Sequence, residues 1–306
     1  MAGAACGGMR PRPGHAYLRS MNTPNLAPPG QRNFPVGVPM VRPHHQSRRR
    51  AVPECPTFLK LPARSAKPRS RGITHVLDSG LTPDATRAFL GQAAHLVDIV
   101  KVGWGIGYVD PALGTRVDMC RQHECAVSLG GTLLEVAAMQ DRVDELRDWA
   151  GGIGITHIEV SNGLRALPES RKHALVAELA ADFVVLAETG AKEGNYPPTP
   201  AEWAKEMSRD LDAGASWVVA EGRESGTTGL YRADHEVRED LVSAIIGLIP
   251  PEKVIFEAPA KSQQAWFVRQ LGPDVNIGNV APACVLSLET LRLGLRADTV
   301  PAGALP

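Results

Sequence analysis

Residues 217–224 read WVVAEGRE, and how this stretch is understood decides the fold. An apolar run of the kind that makes a buried strand stops at Glu221, Arg223 and Glu224. Charged side chains are rarely buried unless they are paired or in use, so the fold has to give the end of a core strand a purpose. The same pattern recurs in both directions. THVLDS begins at 74, DIVKVGW at 98, AVSLGG at 126, HIEVSNG at 157, FVVLAETG at 183, VIFEAP at 254 and VNIGNV at 275. Together with WVVAEGRE these make eight strand candidates.

Amphipathic stretches lie between them. In LLEVAAMQDRVDELRDWA an apolar stripe is supplied by Leu133, Val136, Ala137, Met139 and Val143, and TPAEWAKEMSRDLDAGA opens with Thr199 as cap and Pro200 in the first turn. Strand and helix alternating through eight units predict a parallel (β/α)8 barrel of the TIM type rather than an open doubly wound sheet. No G-x-G-x-x-G fingerprint follows the first strand, and the glycines of GWGIG come only after the second.

Length and charge agree. The chain has 306 residues and zero formal net charge, enough for one large barrel and without the basic field that nucleic acid or an anionic membrane calls for. The expected partner is a small molecule. Five cysteines form no CxxC pair, which suits a reduced cytoplasmic protein, and no apolar run approaches the length of a membrane span. Residues 1–56 are rich in Pro, Gly and Arg and are expected to be a disordered extension; residues 57–306 are expected to form the catalytic barrel. Apolar positions on outer helices suggest a homo-oligomer.

Such barrels place their active sites at the carboxyl ends of the strands. Those ends carry Asp78, Lys101, Gly130 with Gly131 and Thr132, Glu159 with Ser161, Glu188, Glu221 with Arg223, Glu257, and Asn276 with Asn279. Side-chain alternation lets Glu159 and Ser161 face one way, and Glu221 and Arg223 likewise. Carboxylates are hard oxygen ligands suited to Mg²⁺, while lysine and arginine suit phosphate, carboxylate or sulfonate oxygens. The two glycines and threonine of SLGGTLLE could open a helix N-terminus towards an anion. His75 and His157 start their strands and are read as packing or surface groups.

These residues resemble a known family, the phosphosulfolactate synthases of the phosphoenolpyruvate route to coenzyme M. The likeness rests on GITHVLDSGL, DIVKVGWGIGYV, GGTLLE, IEVSNG, AETGAKEG, AEGRESGTTGLY, VIFEAPAKSQQAWFV, VNIGNV and LETLRLGLRADT, in order. It implies a (β/α)8 barrel that adds sulfite to C3 of phosphoenolpyruvate with Mg²⁺. It further implies Lys192 as general acid, Arg223 and Lys101 as anion-binding groups, and Glu224 fixing Arg223. Glu159, Glu188, Glu221, Glu257 and Asp78 would surround the metal. Gly130, Gly131, Thr132, Ser161, Lys261, Asn279 and Ser79 would contact substrate.

One departure stands out. The family's Asp-Lys-Gly-Leu at the first strand reads Asp78, Ser79, Gly80, Leu81, and its GKK after the fifth reads Gly190, Ala191, Lys192. Two cations fewer leave a second enzymatic reading open, in which a thiol or other less charged sulfur nucleophile replaces sulfite. A third reading comes from plant heat-stress-associated proteins, which resemble the same family; it makes the chain a non-catalytic homologue.

Overall fold

In the computed structural model the described residues are 56–164, 167–190, 198–223 and 225–300. The extension expected over residues 1–56 therefore lies outside them except for Pro56. Thr57–Pro306 forms one compact unit.

Every strand read from the sequence is present: β1 Thr74–Asp78, β2 Ile99–Val102, β3 Ala126–Leu129, β4 His157–Val160, β5 Val184–Thr189, β6 Trp217–Ala220, β7 Val254–Glu257 and β8 Asn276–Val280. They are parallel, follow one another in chain order, and close through β8 pairing with β1. This is the (β/α)8 TIM barrel that the sequence predicts. Helices cover its outside because each crossover between parallel strands needs one. The helix Pro200–Asp212 shows how locally this is encoded: Thr199 accepts from the Glu202 amide, Glu202 returns a bond to the Thr199 amide, and Pro200 fits the first turn.

Inside the barrel, side-chain chemistry changes abruptly along the axis. Ile73, Ile99, Leu186, Val219 and Ile255 form a hydrocarbon layer near the strand starts. Two residues further along the same strands come His75, Lys101, Glu188, Glu221 and Glu257, because only alternate residues point inwards. Most of the larger core lies outside the sheet, between strands and helices. Strand β8 breaks the regular pattern. Its register against β1 shifts between Thr74 and Val76, and Asn279 has a left-handed backbone with φ 54°. A bulge of this kind re-aims a side chain, and Asn279 lines the cavity at the carboxyl end.

Candidate active site

The cavity at the carboxyl ends of the strands has a volume of about 300 Å³. Lys101 stands at its centre. Its Nζ lies 3.0 Å from Glu159 Oε1, 2.9 Å from Glu257 Oε1 and 3.8 Å from Glu188 Oε2, so one ammonium serves carboxylates from β4, β7 and β5. Burial works against the charge on Lys101, but Glu159, Glu257 and Glu188 outweigh it and hold the pKa well above the usual lysine value. The ammonium is thus a counter-ion of the protein first.

The carboxylates are not equivalent. Glu257 is fully engaged: Oε1 accepts from Lys101, and Oε2 accepts from the backbone amides of Gly222 at 2.9 Å and Arg223 at 3.1 Å. Glu159 accepts from the Gly131 amide at 3.4 Å and has the His75 ring 3.6 Å away. Burial lifts the Glu159 pKa above the ordinary carboxylate value, with Lys101 opposing. His75 is fully buried, and burial followed by the charge of Lys101 pushes it well below the usual histidine range, so its imidazole is neutral. Glu221 Oε1 takes the Nε of Arg223 at 3.2 Å. Glu188 has no hydrogen bond among the described residues. Burial, then the charges of Glu257, Glu159 and Glu221, raise its pKa well above normal against the pull of Lys101.

The count of charges matters. Glu159, Glu188, Glu221 and Glu257 line the cavity with only Lys101 and Arg223 as cations among the described residues. Hard oxygen donors in excess of positive charge suit a divalent cation. No three histidine, cysteine, aspartate or glutamate side chains among the described residues form a ready metal cage. The donor set therefore fits a Mg²⁺ that takes one or two carboxylates and fills its shell with water and substrate oxygens, the usual habit of that ion. Glu188 fits that part better than Glu159 and Glu257, which Lys101 and backbone amides already occupy.

Gly130, Gly131 and Thr132 line the cavity at the start of the helix Gly131–Met139, whose N-cap Gly130 supplies no side-chain bond. Close packing explains the glycines. A Cβ on Gly131 would stand 2.2 Å from Ser161 Oγ, and one on Gly130 would stand 2.9 Å from the Trp104 nitrogen.

The family described as (2R)-phospho-3-sulfolactate synthase (ComA) matches residues 62–298. The chain belongs to the phosphosulfolactate synthase family. The phosphosulfolactate synthase of Methanothermobacter thermautotrophicus is 39% identical over 246 residues, covering 78% of this chain and 95% of that protein. The Bacillus subtilis phosphosulfolactate synthase is 35% identical over 244 residues, covering 79% and 97%. Protein HEAT-STRESS-ASSOCIATED 32 of Arabidopsis thaliana is more distant, at 24% identity over 262 residues, covering 75% and 88%.

Measured against what the phosphosulfolactate synthase resemblance led us to expect, the barrel brings Lys101, Glu159, Glu188, Glu221, Arg223, Glu257, Gly130, Gly131, Thr132 and Asn279 to one cavity. Four expected residues are not brought there. Asp78 points out of the barrel, because its neighbour Leu77 takes the inward position; its carboxylate pairs with buried Arg116 and accepts from the Gly80 and Leu81 amides. Ser161 follows the last residue of β4, so strand alternation no longer governs it, and its hydroxyl donates to Glu135. Lys261 is exposed and paired with Asp298 at 2.9 Å. Ser79 is exposed on the turn after β1 and does not line the cavity. Lys192 and Glu224 lie outside the described residues.

The sequence reading missed Glu135, which holds the loop after β4 by accepting from the amides of Gly163 at 3.1 Å and Leu164 at 2.7 Å. An acid among apolar residues in GGTLLEVAAM was the available signal. Reading also passed over Trp104, an aromatic between two glycines directly beyond β2.

Proposed function

We propose that this chain is a phosphosulfolactate synthase, forming a carbon–sulfur bond between sulfite and C3 of phosphoenolpyruvate with Mg²⁺. The observation that carries the reading is the cavity lining: a match spanning the barrel converges on one mouth where inward carboxylates, Lys101 and Arg223 sit together. Sulfite donates its sulfur lone pair to C3. The electrons of the C2=C3 bond move into the substrate carboxylate, and a proton delivered to C2 completes phosphosulfolactate.

Bound Mg²⁺ would supply positive charge where the carboxylate becomes more negative, as in other enolate-forming sites. Arg223, kept in place by Glu221 and by the bonds of Glu257 to its own amide, brings a guanidinium to the cavity whose charge suits an anionic group. The N-terminal turn at Gly130, Gly131 and Thr132 suits the phosphate. Lys101 compensates Glu159 and Glu257, so their charges do not repel two incoming anions. Lys192, by its place in the family motif, delivers the proton.

A phosphorus NMR time course with the full chain, phosphoenolpyruvate, sulfite and Mg²⁺ tests this. A new phosphate ester resonance that needs both sulfite and metal is the expected result. Product with a thiol and none with sulfite would move the reading to a different nucleophile, and no product with either would refute it.

A further inference from the structure

The cavity has a wall that the charged residues do not explain. Trp104 is 42% exposed, lines the cavity, and has a left-handed backbone at φ 49°. Non-glycine residues hold such a conformation only when their surroundings impose it, and these positions cluster at functional sites. Here the surroundings are visible. The Trp104 backbone nitrogen packs so closely over Gly130 that a Cβ there would stand 2.9 Å from it, and a Cβ on Gly103 would stand a tight 3.0 Å from the Leu77 side chain.

Leu77 and Gly103 line the cavity beside Trp104. These three come from the ends of β1 and β2, whereas Glu188, Glu221 and Arg223 come from β5 and β6. In a closed barrel with strands in chain order, those pairs stand on opposite sides of the lumen. Apart from Lys101 of β2, whose ammonium is engaged by Glu159 and Glu257, this side of the site is hydrocarbon and indole, and the facing side is charge.

Resting on the reaction proposed above, we infer that Trp104 determines specificity at C3 of the enol substrate. Phosphate and carboxylate are drawn to the charged side and to the glycine turn, which leaves the methylene carbon as the part suited to an apolar wall. The indole shields that carbon from water and leaves no space for a substituent on it. The substrate class is an enol phosphate with an unsubstituted methylene.

The experiment compares phosphoenolpyruvate with its 3-methyl homologue, measuring kcat/KM with sulfite and Mg²⁺ for the parent chain, Trp104→Gly and Trp104→Phe. Glycine suits the left-handed backbone, so the first variant removes the ring without straining the turn. The parent should favour phosphoenolpyruvate strongly. Trp104→Gly should narrow that preference about 10-fold, the scale on which one methylene is discriminated, and Trp104→Phe should keep it. An unchanged preference in a Trp104→Gly chain that melts like the parent overturns the inference. A parent chain with no turnover refutes the proposed reaction instead. The inference is then judged by calorimetric binding of the two esters, and an equal ratio of affinities in parent and Trp104→Gly overturns it.

Discussion

The two ends of this barrel both bury charge, and they treat it in opposite ways. At the amino end Arg64 reaches Asp274 at 2.5 Å, Glu289 at 3.0 Å and the carbonyls of Pro273 and Gly72. Arg292 donates from its Nη groups to the carbonyls of Pro273, Val275 and Ile73. Among the described residues, acids at the carboxyl end outnumber cations and Glu188 has no hydrogen bond. Strand β8 holds both cases. Asn276 accepts from the Ile73 amide and donates to the Glu252 and Val254 carbonyls, whereas the buried Oδ1 of Asn279 has no partner among the described residues. A buried polar group left unpaired is costly. One end is built for cohesion, and the other holds bonding capacity in reserve for a ligand.

The sharpest way to break this contrast is to truncate one arginine at each end. Arg223→Ala should lower kcat/KM by about 10²–10³, the scale of losing one charge-stabilising donor, with little change in melting temperature. Arg292→Ala should do the reverse. It removes three hydrogen bonds, at about 1 kcal/mol each, so urea unfolding should show a loss of about 3 kcal/mol while turnover per folded molecule holds. If Arg223→Ala unfolded the chain as readily, its pairing with Glu221 would be structural.

A smaller effect is expected at Glu188. Its folded pKa is raised, so its contribution to stability is complete below the unfolded value near 4.5 and is lost as pH climbs through the folded value. Glu188→Gln is uncharged at every pH. It should be more stable than the parent at pH 8, and the advantage should shrink as pH falls towards 4.5. Mg²⁺ should raise the melting temperature of the parent and not of the variant. Equal stability of the two chains at pH 8 would place Glu188 with the satisfied charges instead.

The smallest difference separates the two asparagines. Asn276→Ala should cost about 2 kcal/mol through its stranded partners. Asn279→Gly, which relieves the left-handed backbone, should leave stability level or slightly higher while lowering kcat/KM about 10-fold. The ratio of the two effects, read by thermal melts and initial rates, locates the boundary between the two ends.

The strands were legible because a parallel strand buried on both faces reads as an unbroken apolar run, and in this chain polar residues close most of the runs. The cavity's acids and Lys101 were legible from the same endings. What escaped reading depends on closure. Whether Leu77 or Asp78 faces inwards is fixed by the barrel, and the partner that settles it, Arg116, lies 38 residues away. Lys261 reads as a candidate until Asp298, 37 residues further on, claims it. Ser161 obeyed alternation only as long as β4 continued, and β4 stops at Val160. His75 was placed with packing groups; it is one, although inside the lumen and under Glu159 rather than on the surface.

Lys101 has a consequence for how such a mouth can change over generations. One ammonium balances acids from three strands, so exchanging any one of them resets the protonation of the others. Substitutions there will not add up independently. A lineage that altered its chemistry at this rim would have to travel by paired replacements, whereas the wall at Leu77 and Trp104, which shares no charge with that set, can be rewritten one residue at a time.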